Sequence, residues 1–303
     1  MRLSQHGKGV WLMIGATLCW ASAGMLVRNM HLTSGWEITF WRSLFMTLFV
    51  FGVLVFQYRG ATWARIRAVG KPGVIVSALW ALMYVCFILA LGRTTVANVL
   101  VLTSVSPFTA TLLGWLFLHE RVPGRTWVAM VAACGGVALM FAESIESGGL
   151  SGNLIALVIP VAFACNVVIL RNMHASVDMI PTLVLSGLFS MILTLPLAIP
   201  FEATAWDFAL LAIMGVVQLG IGCLLMLAAA RRLKAAEIGL LAVMEIVFGT
   251  ASTWLVVGEH PGRLALIGGL VVIGALVVNE LIGLLGRPAS PSEETAAATP
   301  AGH

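Results

Sequence analysis

The amino-acid sequence predicts an all-α integral membrane protein: ten transmembrane helices built as two inverted-topology five-helix repeats, with both termini cytoplasmic. Three observations predict it. The composition leaves no material for a water-facing surface, ten apolar runs are long enough to cross a bilayer, and two motifs recur half a chain apart. Of 303 residues, 60% are hydrophobic and 10% charged, with a mean hydropathy of +1.02. A soluble domain carries roughly 25% charged residues. Lipid is therefore the solvent for most of this chain.

Crossing about 30 Å of hydrocarbon takes roughly 20 apolar residues in a helix. Ten runs qualify, at about 10–29, 36–57, 72–91, 94–118, 124–142, 152–170, 180–200, 207–230, 236–257 and 264–285. The first, VWLMIGATLCWASA after MRLSQHGKG, imitates a cleavable signal peptide. Its apolar stretch continues to Val27 and RNMH follows it, as RNMH follows the sixth run, so it is expected to be retained. The second run holds Arg42, and the third holds Trp80 and Tyr84, four apart and so on one helix face. The fourth holds Asn98 and then Ser104, Ser106 and Pro107, where a proline removes a backbone donor and frees a carbonyl. That spot is expected to form a cavity wall.

Asn166 lies in the sixth run, Gln218 in the eighth and Glu245 in the ninth. Glycines at 135–136, 215, 220, 222, 268–269 and 274 are expected to let helices approach closely. Loops are short. Only 58–71 and the tail 287–303 read as non-membrane segments, the tail as disordered and cytoplasmic. The expected division is 1–147 for the first repeat and 148–286 for the second.

Lys and Arg set the orientation. With the N-terminus inside, Arg2, Lys8, Arg59, Arg65, Arg67, Lys71, Arg121, Arg125, Arg171, Arg231, Arg232, Lys234 and Arg287 face the cytoplasm. Only Arg28, Arg93 and Arg263 lie outside, and Arg42 lies within a span. The net charge of +4 is thereby explained without nucleic acid.

The repeat is carried by two motifs. RNMH occurs at Arg28–His31 and again at Arg171–His174. In the fourth and ninth runs Trp115 aligns with Trp254 and Glu120 with Glu259, and a one-residue deletion then brings Pro123-Gly124-Arg125 onto Pro261-Gly262-Arg263. Five spans per half is an odd number, so the second half enters the membrane upside down. Inverted halves of this kind are a recurring construction of carriers, with substrate held between them.

With these residues in view, the sequence resembles the EamA-type branch of the drug/metabolite transporter superfamily over about residues 8–286. The likeness rests on the arginine of ITFWRSLF, the mid-helix proline of TSVSPFTATLLGWLFLHER, and the glutamates closing the fourth and ninth runs. Ile246 stands where the family usually has proline after the ninth-run glutamate, which removes the reason for a kink there. The resemblance implies a ten-helix carrier of small metabolites, often amino acids moved outward, in the inner membrane.

Ionisable groups at depth are costly in lipid and are functional suspects by default. Arg42 and Glu245 qualify, either as substrate or proton groups or as a structural pair, with snorkelling a further alternative for Arg42. Trp20, Trp41, Trp80 and Tyr84 lie away from the span ends, where aromatic anchors belong, and fit either a pocket or helix packing. The expected substrate-binding set is Trp20, Arg42, Trp80, Tyr84, Asn98, Ser106, Asn166, Gln218 and Glu245. Glu120 and Glu259 are expected to cap the helices that follow them.

All five cysteines fall within runs as packing residues, and none has CxxC spacing. The six histidines are expected in loops or tails, with no HExxH or nucleophile elbow, so neither an enzyme nor a metal or other cofactor is expected. The expected partners are a small-molecule substrate and the lipid bilayer. Proton coupling, and monomer against homodimer, stay open. The charges within the spans suit small neutral metabolites, apolar or aromatic amino acids first, exported by alternating access; an uncoupled, channel-like facilitator is the alternative.

Overall fold

The computed structural model describes residues 4–172 and 178–285. The tail from 287, together with Arg2, Met173 and His174, lies outside the described residues. Among those described, ten helices are long and apolar enough to cross a membrane. α1 (Gln5–Arg28) and α2 (Gly35–Tyr58) are the first two spans, and the short α3 (Thr62–Arg67) leads into α4 (Gly70–Leu91), the third. The fourth span is two helices, α5 (Val96–Ser104) and α6 (Ser106–Leu118), and the fifth is α7 (Gly124–Ser147). α8 (Leu150–Asn172) and α9 (Met179–Ala198) are the sixth and seventh. The eighth joins α10 (Ala205–Ile213), a π-helical stretch (Met214–Ile221) and α11 (Gly222–Ala230), before α12 (Ala235–Val257) and α13 (Arg263–Leu285).

Helices form because a backbone in hydrocarbon has no water to satisfy it and must bond to itself. Polar side chains finish the ends. Ser4, Ser34, Thr95, Asp178 and Thr204 each accept a backbone N–H from the first turn of the helix that follows. Large apolar side chains such as Phe56, Val128 and Leu255 face outward, the reverse of a soluble protein. Segment 58–71, read as plain non-membrane chain, contains a helical turn instead, with the Arg65 guanidinium 4.7 Å above the Tyr58 ring.

The fold follows the repeat. α2 packs along α9 and α7 along α13, so spans two and seven, and spans five and ten, are mutual partners. Span one packs on nine as six packs on four, and one packs on eight as six packs on three. Exchanging each span for the one five places later leaves this pattern unchanged, as two inverted five-helix repeats require.

Two spans are interrupted, for different reasons. Pro107 offers no N–H to the carbonyl of Thr103; the Ser106 hydroxyl donates to that oxygen instead, at 2.5 Å. α12 runs unbroken through Ile246, as the missing proline implies. The π-helical stretch of span eight has no proline, and its glycines press on the first repeat. A side chain at Gly215 would meet the Arg42 carbonyl and Phe45, one at Gly220 the Phe49 ring, and one at Gly222 the Trp20 indole. Close approach also holds at Gly136 and Gly268, which back onto each other, whereas Gly135 and Gly274 face open space, contrary to expectation.

Candidate functional site

The expected site residues divide into a central cluster and a peripheral set. At the centre, Met46, Tyr84, Leu183, Leu219 and Cys223 form a buried apolar nucleus against which Trp20 and Trp80 pack. The Trp80 and Tyr84 rings are 5.9 Å apart and tilted. Arg42 is 1% exposed, and its guanidinium lies over the Tyr84 ring at 5.7 Å and the Phe87 ring at 5.9 Å. Cys223 is buried in this nucleus, and the Trp20 indole lies against Gly222, one residue before it, while Glu245 is carried by α12, which packs along α1. Contributions thus come from spans one, two and three of the first repeat and spans seven and eight of the second. The cluster lies between the halves.

The two deep charges do not pair. No ion pair within 4 Å joins Arg42 to a carboxylate among the described residues, and Nε and Nη1 of Arg42 are buried without a hydrogen-bond partner. The Tyr84 hydroxyl and Gln218 Oε1 are in the same position. Gln218 sits in the π-helical stretch, which packs on the helix that carries Arg42. A π-helical turn re-aims side chains at the expense of backbone regularity and is frequent at functional sites. Unpartnered buried polar atoms are unusual and call for an explanation.

The remaining predicted residues lie elsewhere. Asn166 places its amide 3.9 Å from the Met83 sulfur, on the α8–α4 contact, with Oδ1 unpartnered. Asn98 is in a separate network joining spans four, five and six. It donates to Asn153 Oδ1 at 3.3 Å and to Ser144 Oγ at 3.4 Å, and Asn153 donates to Ser144 in turn. Ser106 is occupied in closing the Pro107 break. Thr109 reaches from the same break to the carbonyl of Pro160, a second in-helix proline that the sequence reading passed over. Trp41 belongs to an aromatic group with Phe40, Phe201 and Phe208 near a span end.

The two membrane faces differ. On the face away from the chain termini, carboxylates stitch loops to helices across the halves. Glu37 accepts from the backbone N–H groups of Glu202 and Ala203 and from the Trp41 indole, and Asp207 accepts from His31 and Leu32. Glu143 accepts from Ala265 at the start of α13. Glu259 does cap a helix, but that helix is α5, through Val96 N–H, and not the one that follows it. Glu120 pairs with Arg171. Both capping expectations are corrected accordingly: the partner comes from across the fold. Glu37, Asp207 and Glu143 were missed because a carboxylate near a span end looks solvated in sequence; Glu37 and Asp207 are buried only by the segments that fold over them, and Glu143 meets the start of a distant helix.

On the face that carries both termini, the polar contacts are exposed: His6 to Glu237 at 3.0 Å and Arg65 to Asp178 at 3.9 Å. His6, expected in a tail, opens α1. A cavity of about 630 Å³ opens there, lined by Gln5, Gln57, Ile180, Leu224, Leu227, Ala228, Arg231 and Arg232. Its apolar walls, Ile180, Leu224 and Leu227, belong to the cluster that holds Trp20, Trp80 and Tyr84. None of the expected site residues lines the cavity. All five cysteines are free; Cys223 and Cys86 are buried, but Cys134 is exposed toward lipid and is not a packing residue.

Residues 7–142 and 150–280 each match the EamA-like transporter family. Among curated proteins, the pseudopaline exporter CntI of two Pseudomonas aeruginosa strains is 28% identical over 280 residues, spanning 89% of this chain and 94% of the exporter. A solved structure described only as "Crystal structure of protein" superposes with a TM-score of 0.60 at 15% identity, covering 92% of this chain and 99% of its own. At that identity the likeness concerns the fold alone.

Proposed function

The chain belongs to the EamA-like transporter family, a multi-pass membrane protein that moves small molecules and is not an enzyme, and from this premise we propose that it exports small neutral metabolites, apolar or aromatic amino acids first. Export proceeds by alternating access through the cluster between the repeats, with both termini in the cytoplasm. The observation that carries this reading is the packing of Trp20, Trp80 and Tyr84 on one buried nucleus between the repeats, with the unpaired Arg42 guanidinium over the Tyr84 ring. The aromatic rings suit an apolar body, and the two unpaired charges suit the ends of a zwitterion. The exporter relative supports the outward direction.

The unequal faces favour a carrier over a channel-like facilitator. A carrier open to one side needs its other side closed, and the carboxylate-stitched loops supply that closure. The deciding experiment is counterflow in liposomes with a panel of amino acids at two pH values. Saturable, trans-stimulated flux of apolar or aromatic amino acids is expected. Conductance without counterflow would establish the facilitator instead.

A further inference from the structure

We infer that Arg42 is the docking point for a carboxylate of the transported molecule. The inference rests on the transporter reading above and deepens it by naming one functional group that the cargo carries.

Arg42 is fully buried, with Nε and Nη1 unpartnered and no carboxylate within ion-pair distance among the described residues. A desolvated cation left without a counter-ion opposes folding strongly, so a neutral side chain would be favoured there on stability alone. Nor is the group free to escape toward water. Arg42 lies seven residues past the start of α2, roughly 10 Å into the span at about 1.5 Å per residue. Its backbone carbonyl is held against Gly215, and its guanidinium lies over the Tyr84 and Phe87 rings. The result is a fixed, planar guanidinium with open donors, a group type that pairs with carboxylates.

Other anions fit less well. Phosphate and sulfate carry charge that calls for clustered cations, and Arg42 is the one Lys or Arg buried in the described spans. Glu245, the other ionisable group deep in the spans, has no ion-pair partner within 4 Å among the described residues and suits an ammonium. The Tyr84 hydroxyl, on the ring that Arg42 overlies, is also buried without a partner and supplies a third donor. On the face that carries the start of α1, Arg231 and Arg232 edge a separate cavity and raise the local concentration of carboxylates.

The experiment follows thermal unfolding of the purified full chain with benzoate or 3-phenylpropionate, against benzamide and phenethylamine of matching size. The carboxylates are expected to raise the unfolding temperature of the wild type with saturation, and the amide and amine are not. Arg42→Gln is expected to unfold at a higher temperature than wild type without ligand, because the unpaired charge is gone, and to lose the carboxylate response. Arg42→Lys keeps the charge without the fork and is expected to need about ten times more carboxylate; it carries the comparison if Arg42→Gln fails to fold. Equal effects of benzoate and benzamide, or a response that survives both substitutions, would overturn the inference. Counterflow on the same preparations separates it from the reading beneath it. A carboxylate response with no amino-acid flux retains the subsite and removes the amino-acid cargo. Flux with no carboxylate response removes the subsite alone.

Discussion

Arg28 and Glu259, 231 residues apart, meet at 2.7 Å across the two repeats, and Arg171 and Glu120 meet at 2.6 Å in the inverted copy of the same contact. The arginine of each RNMH thus finds the glutamate that closes the helix of the other half. The copies are not equivalent. Arg28 also donates to the Thr94 carbonyl and Glu259 also accepts from Val96, with side chains 27% and 18% exposed. Arg171 and Glu120 are 55% and 44% exposed. Removing either member of the first pair is expected to cost about 1.5–3 kcal/mol, as hydrogen bonds to charged groups do. The exposed pair is expected to contribute less than about 1 kcal/mol. Double-mutant cycles on unfolding in mixed micelles measure both, and equal coupling energies would contradict this account.

Neighbouring glycines give opposite expectations. A methyl at Gly136 would fall on the Gly268 carbonyl and Val272, while Gly135 has nothing within 4 Å. Gly136→Ala should lose about 1–3 kcal/mol through overpacking between α7 and α13. Gly135→Ala should be neutral or gain up to about 1 kcal/mol from helix propensity. Unfolding midpoints of the two variants decide the matter.

Topology is checked by thiol labelling in a variant with the five native cysteines replaced. Cysteines at Gly60 and Arg232 should react with an impermeant reagent only from the cytoplasm, and one at Arg93 only from outside. Labelling of the Arg93 position from the cytoplasm would remove the inverted arrangement across the bilayer.

Trp80 and Tyr84 pack on the central nucleus and are proposed as its apolar wall. Replacing either with Ala should reduce transport of tryptophan or phenylalanine by about tenfold, the scale of a small change in a hydrophobic pocket, and that of alanine by less. A uniform loss across substrate sizes would reassign the pair to helix packing.

Glu245 has no ion-pair partner within 4 Å among the described residues. If it couples export to proton entry, acidifying the outside should accelerate wild-type export. Glu245→Gln, which carries no titrating proton, should make flux indifferent to the pH gradient while counterflow continues. A pH dependence unchanged in Glu245→Gln would remove the residue from coupling.

The sequence by itself determined the solvent, the number of spans and the repeat. These depend on properties summed over 20 or more residues, or on motifs compared across the halves, and neither requires knowing which residues touch. It also marked Arg42, Tyr84 and Glu245, because any charged or polar group at depth in an apolar run stands out.

Tertiary structure alone decided what those marked residues do. Asn98 and Asn166 read alike in sequence, yet the Asn98 amide nitrogen donates into a polar network with Asn153 and Ser144, while that of Asn166 meets only the Met83 sulfur. Ser106 closes a carbonyl that its own proline neighbour frees. The π-helical stretch has no sequence signal, since it is imposed where Gly215 and Gly220 press on α2. The physical reason is common to all of them. Burial in lipid is a property of a segment, but a hydrogen-bond partner for a buried polar atom comes from another segment, and only packing brings the two together.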